Sequence, residues 1–107
     1  MITGEGSLAT AARPRTILAP AGDLDVANAA ETLKRLLALA LVRHGELVID
    51  LRGVTFMDST GIRLVLQARE HALRNGCTFR LVRGGEAVMR VLELVGLQEQ
   101  LDIADEL

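Results

Sequence analysis

"VIDLRGVTFMDSTGIRLVLQA", residues 48–68, changes its periodicity across one polar break. In "ELVIDLRGVTFM", residues 46–57, Leu47, Val48, Ile49 and Leu51 crowd into a nearly continuous apolar run. Strands buried on both faces read this way when helices cover a sheet. Beyond Gly61 the spacing becomes helical: Ile62, Val65, Leu66, Ala72 and Leu73 share one face, and Arg63, Gln67, Glu70, His71 and Arg74 point away. The stretch predicts one strand within 46–57 feeding a helix over 59–75. Asp50 is expected at the strand's C-terminal end, paired or hydrated. Arg69 falls in the apolar sector and is expected to snorkel to its edge, and Asn75-Gly76 closes the helix.

The same reading extends outward. "TILAPAG" (16–22) predicts a short strand that Pro20 ends or confines to an edge. "DVANAAETLKRLLALALVRHG" (25–45) predicts a helix with Asp25 as N-cap, a stripe of Val26, Ala29, Ala30, Leu33, Leu36, Leu37, Ala40 and Leu41, and Gly45 as its stop. "TFRLV" (78–82) predicts another strand. Gly84-Gly85 turns into a third helix with Val88, Val91, Leu92 and Val95 inside and Gly96 at its end. "LDIADEL" supplies a last strand residue or two, and residues 1–13 a frayed segment or an edge strand. Strand and helix alternate, which predicts an α/β layer fold. At 107 residues one domain is expected. Functional groups in such folds gather where strands end and helices begin, so the loops "GDLD" (22–25) and "MDSTG" (57–61) are the places to look.

Composition narrows the function. Aromatic content is 2%, with no Trp and no Tyr, so the core is aliphatic and base-stacking platforms are lacking. A formal net charge of −2 supplies no basic surplus for nucleic acid or an anionic membrane. The single Cys77 has no internal disulfide partner and reads as a buried structural thiol, which fits a reducing, cytoplasmic setting. The N-terminus lacks the pattern of a signal peptide, and "LLALALV" (36–42) is too short to span a bilayer.

One Cys and the distant His44 and His71, both read as solvated helix residues, make no metal site. "DSTG" is not a G-x-S-x-G elbow, and His71 lies roughly 18 Å along the helix from Ser59, so a serine hydrolase is not expected. "RGGEA" (83–87) lacks the spacing of a phosphate-binding loop and reads as a turn. Two readings of "MDSTG" remain. Asp58 and Ser59 suit helix capping. The helix start also favours an added phosphate, which Asp23, Asp25 and Asp58 would repel, leaving it exposed. On the residues alone capping outweighs phosphate acceptance without deciding the matter.

Taken together, "GDLDVANA" (22–29), "VIDLRGVTFMDSTGIRLVLQA" (48–68) and "GGEAVMRVLELVGLQEQLDI" (84–103) resemble, in that order along the chain, the signature of the STAS domain family and within it the bacterial anti-sigma factor antagonists. The resemblance covers residues 15–104. It implies a four- to five-stranded mixed, mainly parallel sheet with about three main helices and a short or missing last helix. It also implies a binding cycle without catalysis or a cofactor of the chain's own. The unphosphorylated chain binds an anti-sigma factor of kinase-like fold and frees a sigma factor. That partner, a serine kinase carrying the ATP and Mg, phosphorylates Ser59, and a serine phosphatase resets the switch. Thr60 would hold the helix start, Asp58 orient the loop, and Asp23 and Asp25 form the facing acidic loop. Gly61 would allow close approach of the partner or a tight turn. Arg63 stands where relatives often carry a small residue; it would alter which partner fits or pair with the Ser59 phosphate. The alternative is a constitutive STAS subunit of a membrane lipid-transport ATPase complex, without phosphorylation.

Overall fold

A computed structural model describes residues 14–107; the segment 1–13, expected as frayed or as an edge strand, lies outside the described residues. The elements are β1 (Arg15–Leu18), β2 (Gly22–Leu24), α1 (Ala29–Leu37), β3 (Glu46–Asp50), β4 (Val54–Met57), α2 (Ser59–Arg74), β5 (Thr78–Val82), α3 (Glu86–Leu94) and β6 (Ile103–Ala104). A four-stranded sheet runs in the order β1-β3-β5-β6, and β2 and β4 form a separate two-stranded ribbon. Every pairing among the described residues is parallel. No helix follows β6 among the described residues. The expected α/β class and mainly parallel sheet hold.

All five residues of β3 are buried, as the continuous apolar run predicts. Leu47 and Ile49 lie beside Phe79 and Leu81 of β5 and share a core with Leu64, Val65 and Ala68 of α2 and Val88, Met89 and Leu92 of α3. Cys77 is buried, its thiol 3.1 Å from the carbonyl oxygen of Val42. The other face of β3 carries Glu46, which the sequence reading passed over. Its carboxylate lies between Arg15 (Nε 3.1 Å) and Arg80 (Nε 3.6 Å), and Arg80 also reaches Asp102 at 3.1 Å.

The segment 46–57 is two strands rather than the single one expected. Asp50, at the end of β3 as expected, accepts hydrogen bonds from the Arg52 backbone N (3.0 Å) and from its Nε and Nη2 (3.0 and 2.9 Å). That local capture turns the chain at Arg52-Gly53, and β4 leaves the main sheet to pair with β2. The Arg52 side-chain hydrogen bonds hold the Asp50 carboxyl below its ordinary 3.8, against the opposing effect of burial. A carboxyl depressed in the folded state adds stability above its unfolded pKa, and that stability is lost as pH falls through the folded value. Asp50→Asn is expected to flatten this acid dependence: thermal melts at pH 7 and pH 3 should show a smaller loss in the variant than in the parent. Equal losses would remove Asp50 as a source of acid sensitivity.

The first helix is shorter than its sequence pattern. Asp25 is not its N-cap. The Asp25 carboxylate accepts from Ala27 N at 2.9 Å, and the Asn28 side chain accepts from Asp25 N at 3.1 Å, holding 25–28 as a turn; Asn28 then occupies the cap position. Leu37 ends the helix, and residues 38–45 cross toward β3 with Leu39 and Leu41 packed against the core. The left-handed residue is His44 (φ 68°), in this connection rather than in a helix. Gly45 serves close approach instead, since a Cβ there would lie 2.7 Å from the Pro14 carbonyl oxygen. Val26 and Leu37, expected in the stripe, are exposed, and Thr32 is buried in their place.

The second helix has nearly the expected span, but its inner face centres on Leu64, Val65, Ala68 and Ala72, so Leu66 (40% exposed) and Leu73 (53%) face outward. Arg69 is exposed. His71 is half-buried rather than solvated, and its Nε2 is enclosed without a hydrogen-bond partner among the described residues. In α3, Met89 joins Val88 and Leu92 inside, while Val95 lies past the helix end and is exposed.

Candidate functional site

The ribbon positions the site. In its register Asp23 faces Phe56 and Leu24 faces Met57, so both strands end where α2 begins. Asp58 N donates to the Leu24 carbonyl oxygen at 3.4 Å and ties the head of α2 to the end of β2. "GDLD" is therefore strand for its first three residues, not a loop; Gly22 alone has a positive φ there, 82°.

Asp58 is the N-cap of α2. Its backbone is extended (φ −114°, ψ −163°), its carboxylate accepts from Thr60 N at 2.8 Å, and its carbonyl accepts from Ile62 N at 3.1 Å. This satisfies the donors that a helix start leaves free. Ser59 is the first residue of the helix and is exposed; its hydroxyl makes no hydrogen bond among the described residues. Thr60 is half-buried and serves the helix start through its N–H rather than its hydroxyl. The capping reading of the motif holds for Asp58, and the Ser59 hydroxyl takes no part in it.

Gly61 is buried. A Cβ there would overlap Met57 Cγ and lie 2.8 Å from the Leu24 carbonyl oxygen. The close approach it permits within the chain is to the ribbon, and it seats the helix head on β2 and β4. Asp23 is exposed and accepts from the Thr55 hydroxyl across the ribbon at 2.9 Å. Arg63 is exposed one turn beyond Ser59.

The structure adds apolar groups that sequence reasoning missed. Val26 is 79% and Phe56 51% exposed. A cavity of about 320 Å³ opens between α1 and α2, lined by Val26, Ala29, Leu33, Thr60, Arg63 and Gln67 among others. In β4 Val54 and Met57 are buried while Thr55 and Phe56 are both exposed, which breaks the two-residue alternation of a strand, so the sequence pattern did not point to Phe56. Nothing in the sequence marked Val26, which lies in the unexpected turn. Among the described residues no cluster of His, Cys, Asp and Glu could hold a metal ion, and no helix is long and apolar enough to cross a membrane.

A model of the STAS domain family matches residues 7–107. The sequence is 30% identical over 84 residues to the anti-sigma-B factor antagonist of Bacillus subtilis (strain 168), covering 78% of this chain and 76% of the relative. The fold is similar to the crystal structure of an anti-sigma factor antagonist from Mycobacterium paratuberculosis, with a TM-score of 0.76 and 25% identity over 87% of this chain and 79% of that one. It is similar as well to a sulfate transporter family protein from Wolinella succinogenes, with a TM-score of 0.73 over 91% of this chain and 83% of that one. At 19% identity the latter likeness is one of fold alone.

Proposed function

The chain belongs to the STAS domain family, and on that premise we propose that it is an anti-sigma factor antagonist switched by phosphorylation of Ser59. The observation that carries this reading is the Ser59 hydroxyl, exposed at the first position of α2 while Asp58 does the capping. Esterifying that oxygen breaks no hydrogen bond of the described structure. In the unphosphorylated state the head of α2 and the adjoining ribbon end, with Asp23, Asp25, Asp58, Thr60 and Arg63 around Ser59 and Gly61 supporting it from beneath, dock on an anti-sigma factor of kinase-like fold. The partner's ATP then donates its γ-phosphoryl group. A P–O bond forms at Ser59 Oγ as the bond to ADP breaks, and the hydroxyl proton passes to a base on the partner. The product carries nearly two negative charges beside three carboxylates, and that charge ejects the partner. A serine phosphatase restores the hydroxyl. In this reading the chain is substrate and binding module, acts without a cofactor of its own, and works in the cytoplasm. The transporter likeness, being one of fold, lends no support to a lipid-transport role.

The direct test is incubation with the cognate kinase, ATP and Mg²⁺, followed by peptide mass spectrometry. Phosphate is expected on Ser59; phosphate on another residue would overturn the assignment. In binding measurements Ser59→Ala should keep the partner's affinity, and Ser59→Asp should lower it by about tenfold, equivalent to ~1.4 kcal/mol. Equal affinities for the two variants would eliminate the switch.

A further inference from the structure

We propose that Arg63 is the phosphate's partner within this chain: once Ser59 carries a phosphate, the guanidinium one turn further along α2 closes onto it. This rests on Ser59 being the modified residue and concerns what the modification does. Residues four apart on a helix share a face, and both Ser59 and Arg63 are exposed. A long helical side chain leans toward the helix N-terminus and covers the turn before its own Cα. For Arg63 that turn is the one holding Ser59. An acid four residues before a base is also the favourable order for such a pair.

The surroundings leave Arg63 available. Its neighbours three and four positions away on α2 are Ser59, Thr60, Leu66 and Gln67, none of them charged. Further down the same face Glu70 pairs with Arg74 at 3.4 Å. The acids at the helix head are already engaged as acceptors: Asp58 by Thr60 N, Asp25 by Ala27 N and Asp23 by the Thr55 hydroxyl. Arg63 makes no ion pair among the described residues, and it is the only charged residue of the helix's first nine. Phosphorylation supplies the counter-charge it lacks, in a geometry that a planar guanidinium can meet with two hydrogen bonds. The modification then acts twice: it adds negative charge at the helix head and withdraws the cation there that an acidic group on a partner could otherwise use.

The test is a thermal cycle of four proteins, with phosphoserine or serine installed at position 59 during synthesis and with Arg63 or R63Q. No kinase is involved, so the result is independent of how Ser59 comes to be modified. Phosphorylation should raise Tm by roughly 2–5 °C more with Arg63 than in R63Q, and R63K should retain part of the difference. The same shift in both backgrounds would overturn the pair. Should R63Q fold poorly, nitrogen-15 NMR of the native chain decides: phosphorylation should shift the Arg63 Nε–H resonance and slow its exchange with water, and an unchanged resonance would overturn the proposal. Partner binding separates the two ideas. Undiminished affinity for the phosphorylated chain removes the switch and leaves the pair standing, whereas partner release without coupling to Arg63 removes the pair and leaves the switch.

Discussion

Gly61→Val should destabilise the fold by about 2 kcal/mol or more, a loss of roughly 10 °C in Tm. The reason is backbone rather than side-chain crowding. Met57 can swing its thioether away from a new Cβ, but the Leu24 carbonyl oxygen, 2.8 Å from where that atom would stand, belongs to the ribbon. Either β2 moves or the first turn of α2 lifts from it. Gly61→Ala should show the same sign with a smaller effect, because the gain in helix propensity over glycine, about 1 kcal/mol, offsets part of the clash. Thermal melts of both variants check this. A Gly61→Val protein as stable as the parent would mean that the helix head is not seated on the ribbon as described. Hydrogen exchange should rise first at Asp58–Ile62, the segment that presents Ser59.

Leu36→Ala should cost about 2–5 kcal/mol. The nine-residue α1 buries only Ala29, Thr32 and Leu36, and Leu36 is its one large, fully enclosed side chain. A helix this short gains little from propensity alone and depends on what it buries. It packs on α2, so removing the anchor should loosen α1 preferentially. Amide exchange across residues 29–37 is expected to accelerate beyond that of β3 and β5. Uniform acceleration would show α1 to be part of one cooperative unit with the sheet. Because α1 forms one wall of the cavity beside Thr60 and Arg63, the same variant should weaken partner binding if that cavity takes part in docking.

What could be read from the sequence depended on how local each cause was. The β3 run, β5 and the span of α2 were legible because strand burial and helical period are written into consecutive residues. Asp50 was placed at its strand end for the same reason. The ribbon was not legible: Gly22–Leu24 is three residues long, and only its long-range partner in β4 makes it a strand. Side-chain hydrogen bonds overrode pattern twice. Asp50 turned a single apparent strand into two by capturing Arg52 N, and Asp25 with Asn28 delayed a helix whose apolar spacing begins at Val26. At the candidate site the residue types were read before their division of labour. Whether Asp58 or Ser59 does the capping depends on one backbone conformation, which composition does not encode. Gly61 was read as allowing a partner's approach or a tight turn, because its tight neighbours, Leu24 and Met57, come from two other elements.

The last strand, β6, offers only two rungs, Ile103 against Leu81 and Ala104 against Val82. Arg80 with Asp102 and Arg83 with Asp105 place charged pairs around it. An unpaired strand margin is where copies of a protein polymerise through their backbones, and short length and charge are what discourage it. On this side of the sheet the two short rungs and the charges beside them therefore disfavour fibril-like stacking at high concentration.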